Sequence, residues 1–112
     1  MEPGESPDRG IGFAEIRDQL CARIAALDVS APYAQPLDLV QGVEAIRRIA
    51  HRHGLAPAVT VTHFIDRALM REPGGVPVHG WLAMLTDAIA SERQDWETAN
   101  DFAAACSVRL AG

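Results

Sequence analysis

Apolar residues in this chain return every three or four positions, and that period constrains its fold more than any other feature. Phe13, Ile16, Leu20, Ile24 and Leu27 fall on one face of a helix turning every 3.6 residues. Leu39, Val43, Ile46 and Ala50 form a second stripe, widened by Val40 and Ile49. Ala58, Val61, Ile65, Ala68 and Leu69 form a third, with Phe64 beside them. Val78, Trp81, Leu82, Leu85 and Ile89 make a fourth, and Trp96, Ala99, Phe102, Ala103, Cys106 and Leu110 a fifth. "VTVT", Val59 to Thr62, alternates like a strand. The helical period runs through it, and a lone four-residue strand would have no partner. The expected fold is all-α: a compact bundle of four or five amphipathic helices, over about 12–27, 36–53, 57–71, 77–90 and 92–110.

The breaks between stripes carry their own signals. "DVSAPYAQP", Asp28 to Pro36, ends the first helix, and Pro36 suits the first turn of the second. Tyr33 in this linker is expected to lay its ring on the bundle. Gly42 costs helix propensity and marks a close helix contact. Gly54 fits the left-handed position after a helix, with Leu55 folding back on the last turn. "EPGGVP", Glu72 to Pro77, is a loop. "SERQ", Ser91 to Gln94, matches a capping box in which Ser91 accepts from the Gln94 N–H. That cap favours two helices after residue 77 over one long one.

The chain of 112 residues reads as one domain, 11–112, behind an acidic Gly/Pro-rich segment, 1–10, expected to be a disordered tail. That start lacks the basic and apolar regions of a signal peptide, and no run of about 18 apolar residues exists to cross a membrane. Cys21 and Cys106 lie far apart with no Cys-x-x-Cys pair, so two reduced thiols in a cytoplasmic protein are expected. The net charge of −5 disfavours a general nucleic-acid binder. The charge is uneven, however. Residues 44–71 hold Arg47, Arg48, Arg52, Arg67 and Arg71 against Glu44 and Asp66, five minus two, or +3. The rest of the chain is therefore −8.

"AHRHGLAPAVTVTHF", Ala50 to Phe64, holds His51, His53 and His63, three of the four histidines. Residues two apart on a helix point about 200° apart, so His51 and His53 cannot share an ion. His63 has Asp66 at i+3 but the cation Arg67 at i+4. No His-Glu-x-x-His, paired Glu-x-x-His or cysteine pair appears, so no metal and no cofactor are expected. His51 and His53 read instead as donors near a helix C-terminus, where the dipole favours them. There is also no Gly-x-Ser-x-Gly elbow and no glycine-rich phosphate loop, so no catalytic residues are expected and the chain reads as no enzyme.

Ala50, Gly54 and Leu55, inside "IAHRHGLAPAVTVTHFIDRALM", resemble the helix-turn-helix pattern. The departure is Thr60, which stands where an inward aliphatic is usual. The resemblance implies that Thr60, Thr62, His63 and Arg67 would face a DNA groove, with Arg47, Arg48 and Arg52 on phosphates. The competing reading is an ordinary corner whose arginines are solvated, with Glu44 pairing Arg48 at i+4.

Protein interaction is the leading expectation. Alanine-rich stripes make a thin core, which self-association can complete, most often as a two-fold dimer. The basic segment of one copy would meet the acidic half of another. The expected partner is thus a protein, a second copy of this chain included, with nucleic acid as the alternative and no membrane. The surface that would carry it is Arg47, Arg48, Arg52, His63, Arg67 and Arg71.

Overall fold

Every apolar stripe becomes a helix. The structure, a computed structural model, describes residues 5–72 and 75–111. Its elements are α1 (Glu5–Ser30), a 3-10 turn (Ala31–Tyr33), α2 (Pro36–Arg52), α3 (Ala56–Arg71), α4 (Val78–Ala90) and α5 (Trp96–Ala111). No strand occurs among the described residues, and the protein is an all-α bundle. No described helix is long and apolar enough to cross a membrane.

α1 is longer than its apolar stripe, beginning at Glu5 rather than near Gly12. Residues 5–10 of the expected tail are therefore helical, and residues 1–4 lie outside the described residues. Pro7 does not oppose this start, because the first four N–H groups of a helix have no internal acceptor to lose.

The linker to α2 is shaped by its prolines. Gln35, ahead of Pro36, is extended at φ −79° and ψ 155°, as the ring that follows requires. Its N–H donates to Asp38 Oδ2 at 3.1 Å, closing the first turn of α2. The far end of α2 closes as its sequence indicates. Gly54 takes φ +72°. Its N–H donates to His51 O at 3.2 Å, and the Leu55 N–H donates to Ala50 O at 2.9 Å. These are the two bonds of a Schellman ending, and Leu55 is fully buried behind it.

The break between α4 and α5 exists, but its cap is not the expected one. Ser91 Oγ donates to Arg93 O at 2.9 Å and accepts nothing from the Gln94 backbone. Gln94 instead donates from Nε2 to Ala88 O at 3.1 Å and to Ser91 O at 2.9 Å, satisfying carbonyls at the end of α4. Asp95 caps α5, its Oδ1 accepting from the Thr98 N–H at 2.8 Å. Asp95 takes the N-cap place expected for Ser91, so α5 starts at Trp96 and not near residue 92.

α3 is the central helix. It packs against α2, α4 and α5, while α1 closes the other side against α2 and α4. Seven α3 residues are buried: Pro57, Ala58, Val61, Thr62, Ile65, Ala68 and Leu69. They meet Leu20 and Ile24 of α1, the predicted α2 stripe, Trp81, Leu82, Leu85 and Ile89 of α4, and Cys106 of α5. Gly42 does mark a close contact. A Cβ there would stand 2.6 Å from Leu27 Cδ1.

Three aromatic expectations fail, the first at Phe13, which opens the α1 stripe but is 38 % exposed, with Arg17 over its ring. Tyr33 is 89 % exposed and does not lie on the bundle. Trp96 is 75 % exposed, because it opens α5 a turn before Ala99, the first α5 side chain to be buried.

Candidate functional site

The charge asymmetry becomes a groove between α2 and α3. Arg47, Arg48, His51 and Arg52 occupy positions i, i+1, i+4 and i+5 of α2, which share one helix face. Val59 and His63 of α3 stand opposite, and with Glu44 these residues line an open depression of about 570 Å³. Four of the six expected surface residues are therefore together: Arg47, Arg48, Arg52 and His63. His51 joins them although it was not among those six. Its i+4 spacing from Arg47 was the available signal.

The members of the groove are not equivalent. Arg47 is mostly shielded and is held by two carboxylates, Glu44 on its own helix and Asp66 of α3 at 2.5 Å. It is a cross-link between helices. Arg48 is exposed and shares Glu44, with Nε 3.2 Å from Oε2, the predicted i, i+4 pair. Glu44 and Asp66 are thereby engaged. The exposed side chains of His51, Arg52 and His63 form no ion pair among the described residues.

The other two expected residues stand apart. Arg67 lies over the Phe64 ring, its guanidinium carbon 5.0 Å from the centroid. Arg71, at the end of α3, lines a separate cavity with Arg109 of α5.

One residue of the expected helix-turn-helix surface, Thr62, is turned inward. Thr62 has no exposed surface, and its hydroxyl donates to Val59 O at 2.6 Å. Arg47 meets Asp66 ten residues into α3, about 15 Å along that helix at 1.5 Å per residue. This ion pair ties α2 to α3 beyond the turn that joins them.

A complementary surface surrounds the start of α5. Trp96 projects there between Asp95 and Glu97, with Glu92 and Asp101 nearby in sequence. Arg93 donates to Asp95 Oδ2 at 2.6 Å and to Glu97 Oε1 at 2.9 Å. The Thr98 N–H and Arg93 together hold the Asp95 carboxyl down at about 2, so it stays charged. One arginine against four carboxylates leaves residues 92–101 at −3.

Among the described residues, no three His, Cys, Asp or Glu side chains gather at metal-binding distances. Cys21 and Cys106 are free thiols. Cys106 Sγ lies 3.2 Å from Met84 Sδ, and burial pushes its pKa up to about 11, away from nucleophilic character. No family model matches this chain, and neither does any curated protein or solved structure.

Proposed function

We propose that this chain is a small, non-catalytic helical domain of the cytoplasm that acts by binding protein, and that its partner is a second copy of itself. The observation that carries the reading is the exposed indole of Trp96, set in an acidic surface and matched by a basic groove elsewhere on the same chain. Large exposed aromatic side chains are enriched among the residues that dominate interfaces. Opposite potentials on the two patches would steer and register the encounter.

Placement supports reciprocity. Ala68 and Arg71 near the end of α3 share a cavity with Arg109, Leu110 and Ala111 at the end of α5. The two helices therefore run in the same direction. Trp96 then lies toward the Gly54 end of the molecule, where the groove residues His51 and Arg52 also lie. A two-fold axis at that end brings the Trp96 surface of each copy to the groove of the other.

Sedimentation at tens to hundreds of micromolar protein tests this. A dimer is expected, weakened about tenfold or more by Trp96→Ala or Arg52→Glu, and by raising salt toward 0.5 M. A clean monomer at high micromolar concentration would overturn it. Retardation of duplex DNA at low salt and micromolar protein, lost in Arg52→Glu, would favour nucleic acid as the partner instead.

A further inference from the structure

A second site lies at the opposite end of the bundle, where α3 ends, α4 begins and α5 ends. A cavity of about 530 Å³ there is lined by Arg71, Glu72, Trp81 and Arg109, with Ala68 and Leu110 among its apolar walls. Its volume is in the range of small-molecule sites. Two guanidinium side chains thus share one concavity. Neither forms an ion pair among the described residues. The Glu72 carboxylate lies beside Gly75, another residue of the lining, with Oε1 3.5 Å from where a Gly75 Cβ would stand.

The placement of Arg109 is unusual. Its Nη1 lies only 2.6 Å from where a Cβ on Gly80 would be, and its guanidinium carbon is 5.7 Å from the centroid of Trp81. The cation is therefore laid against the first turn of α4. That end of a helix carries partial positive charge. No side chain caps α4, and Pro77 at its N-cap lines the same cavity. The nearby His79 imidazole is turned away to Asp28 of α1, at 2.8 Å. Arg71, Arg109 and the start of α4 thus border one space of ligand size, together with a single carboxylate, Glu72. The two guanidinium groups outnumber that carboxylate, so an anion entering the space meets charge-assisted donors.

We propose that this cavity binds a compact oxyanion, a phosphate or carboxylate head, on Arg71 and Arg109, with an attached apolar body against Val76, Leu110 and the edge of Trp81. The two arginines supply fork-shaped donors suited to a planar or tetrahedral oxyanion. Gly80 is the residue that admits the Arg109 guanidinium to the site.

Calorimetric titration of the full chain at low ionic strength tests the assignment with three probes: inorganic phosphate, succinate and phenyl phosphate. Binding of phenyl phosphate is expected to be tighter than that of inorganic phosphate, through the apolar walls. Succinate distinguishes a carboxylate site from a phosphate site. Arg109→Gln and Arg71→Gln should each weaken binding about tenfold or more. Gly80→Ala keeps both charges and improves helix propensity, yet its Cβ displaces the guanidinium, so it should weaken binding while leaving the fold intact. In the unmodified chain, amide NMR shifts on adding phenyl phosphate should centre on His79, Gly80 and Trp81. No binding of any probe at 10 mM, or binding that Arg71→Gln and Arg109→Gln leave unchanged, overturns the proposal.

Discussion

Arg47 of α2 holds the carboxylate of Asp66 on α3 at 2.5 Å, joining the two helices well beyond their turn. Both side chains are more than two-thirds shielded, and Asp66 Oδ1 is buried with no hydrogen-bond partner of its own. Removing Arg47 leaves a shielded carboxylate without its counter-charge. Arg47→Ala is expected to cost about 1–2 kcal/mol of unfolding free energy. Asp66→Asn should recover part of that loss, giving a coupling of about 1 kcal/mol in a double-mutant cycle. Denaturant unfolding of the four proteins measures it. Additive effects would show that the pair contributes nothing beyond its separate side chains.

Two glycines in helix interiors should respond oppositely to alanine. A Cβ at Gly12 meets nothing within 4 Å, so Gly12→Ala should stabilise by up to about 1 kcal/mol through helix propensity alone. A Cβ at Gly42 meets Leu27 Cδ1 at 2.6 Å and Cδ2 at 3.1 Å. Leu27 is half-buried against the core, so its methyl groups must shift to admit the new Cβ. Gly42→Ala should therefore lose about 1 kcal/mol net, overpacking outweighing propensity. Shifts of the denaturation midpoint at constant slope would resolve the two signs.

The two tryptophans should report two environments. Trp81 is 2 % exposed and Trp96 is 75 % exposed. In Trp81→Phe the remaining indole should emit at long wavelength and be quenched readily by acrylamide. In Trp96→Phe the remaining indole should be blue-shifted and protected. At concentrations where the proposed dimer forms, Trp96 should lose accessibility while Trp81 stays unchanged. Equal quenching of both at all concentrations would contradict the placement of Trp96.

The Cys106 thiol should be inert and alkali-sensitive. Burial raises its pKa from 9.0 to about 11. The folded chain keeps this proton where the unfolded chain has lost it. Its contribution to stability is thus full below pH 9.0 and falls as pH rises toward about 11. Cys21 is only half-buried and should label first. In Cys21→Ser, labelling of Cys106 at pH 8 should track unfolding, slowing when the protein is stabilised. Fast labelling independent of stability would argue against a sealed thiol.

Much of the architecture was legible in the chain because it depends on local rules. The inward residues of α2, Leu39, Val43, Ile46 and Ala50, follow from helix period alone, and all four are buried. Gly54 and Leu55 announced their turn because few residues other than glycine adopt φ +72° without strain. The basic face of α2 was visible for the same reason, since i, i+1, i+4 and i+5 lie together on any helix.

Other features needed the packed molecule. Arg47 and Arg52 look alike in sequence, yet one is locked to Asp66 and the other forms no ion pair among the described residues. The difference arises because only Arg47 faces the α3 carboxylate. Trp96 shares the α5 stripe but starts its helix before the buried part begins. Arg71 and Arg109 stand 38 residues apart in the chain and meet in one cavity because α3 and α5 end side by side. Helical period determines which face of each helix turns inward. Which charges end as neighbours is decided only when the helices choose their partners.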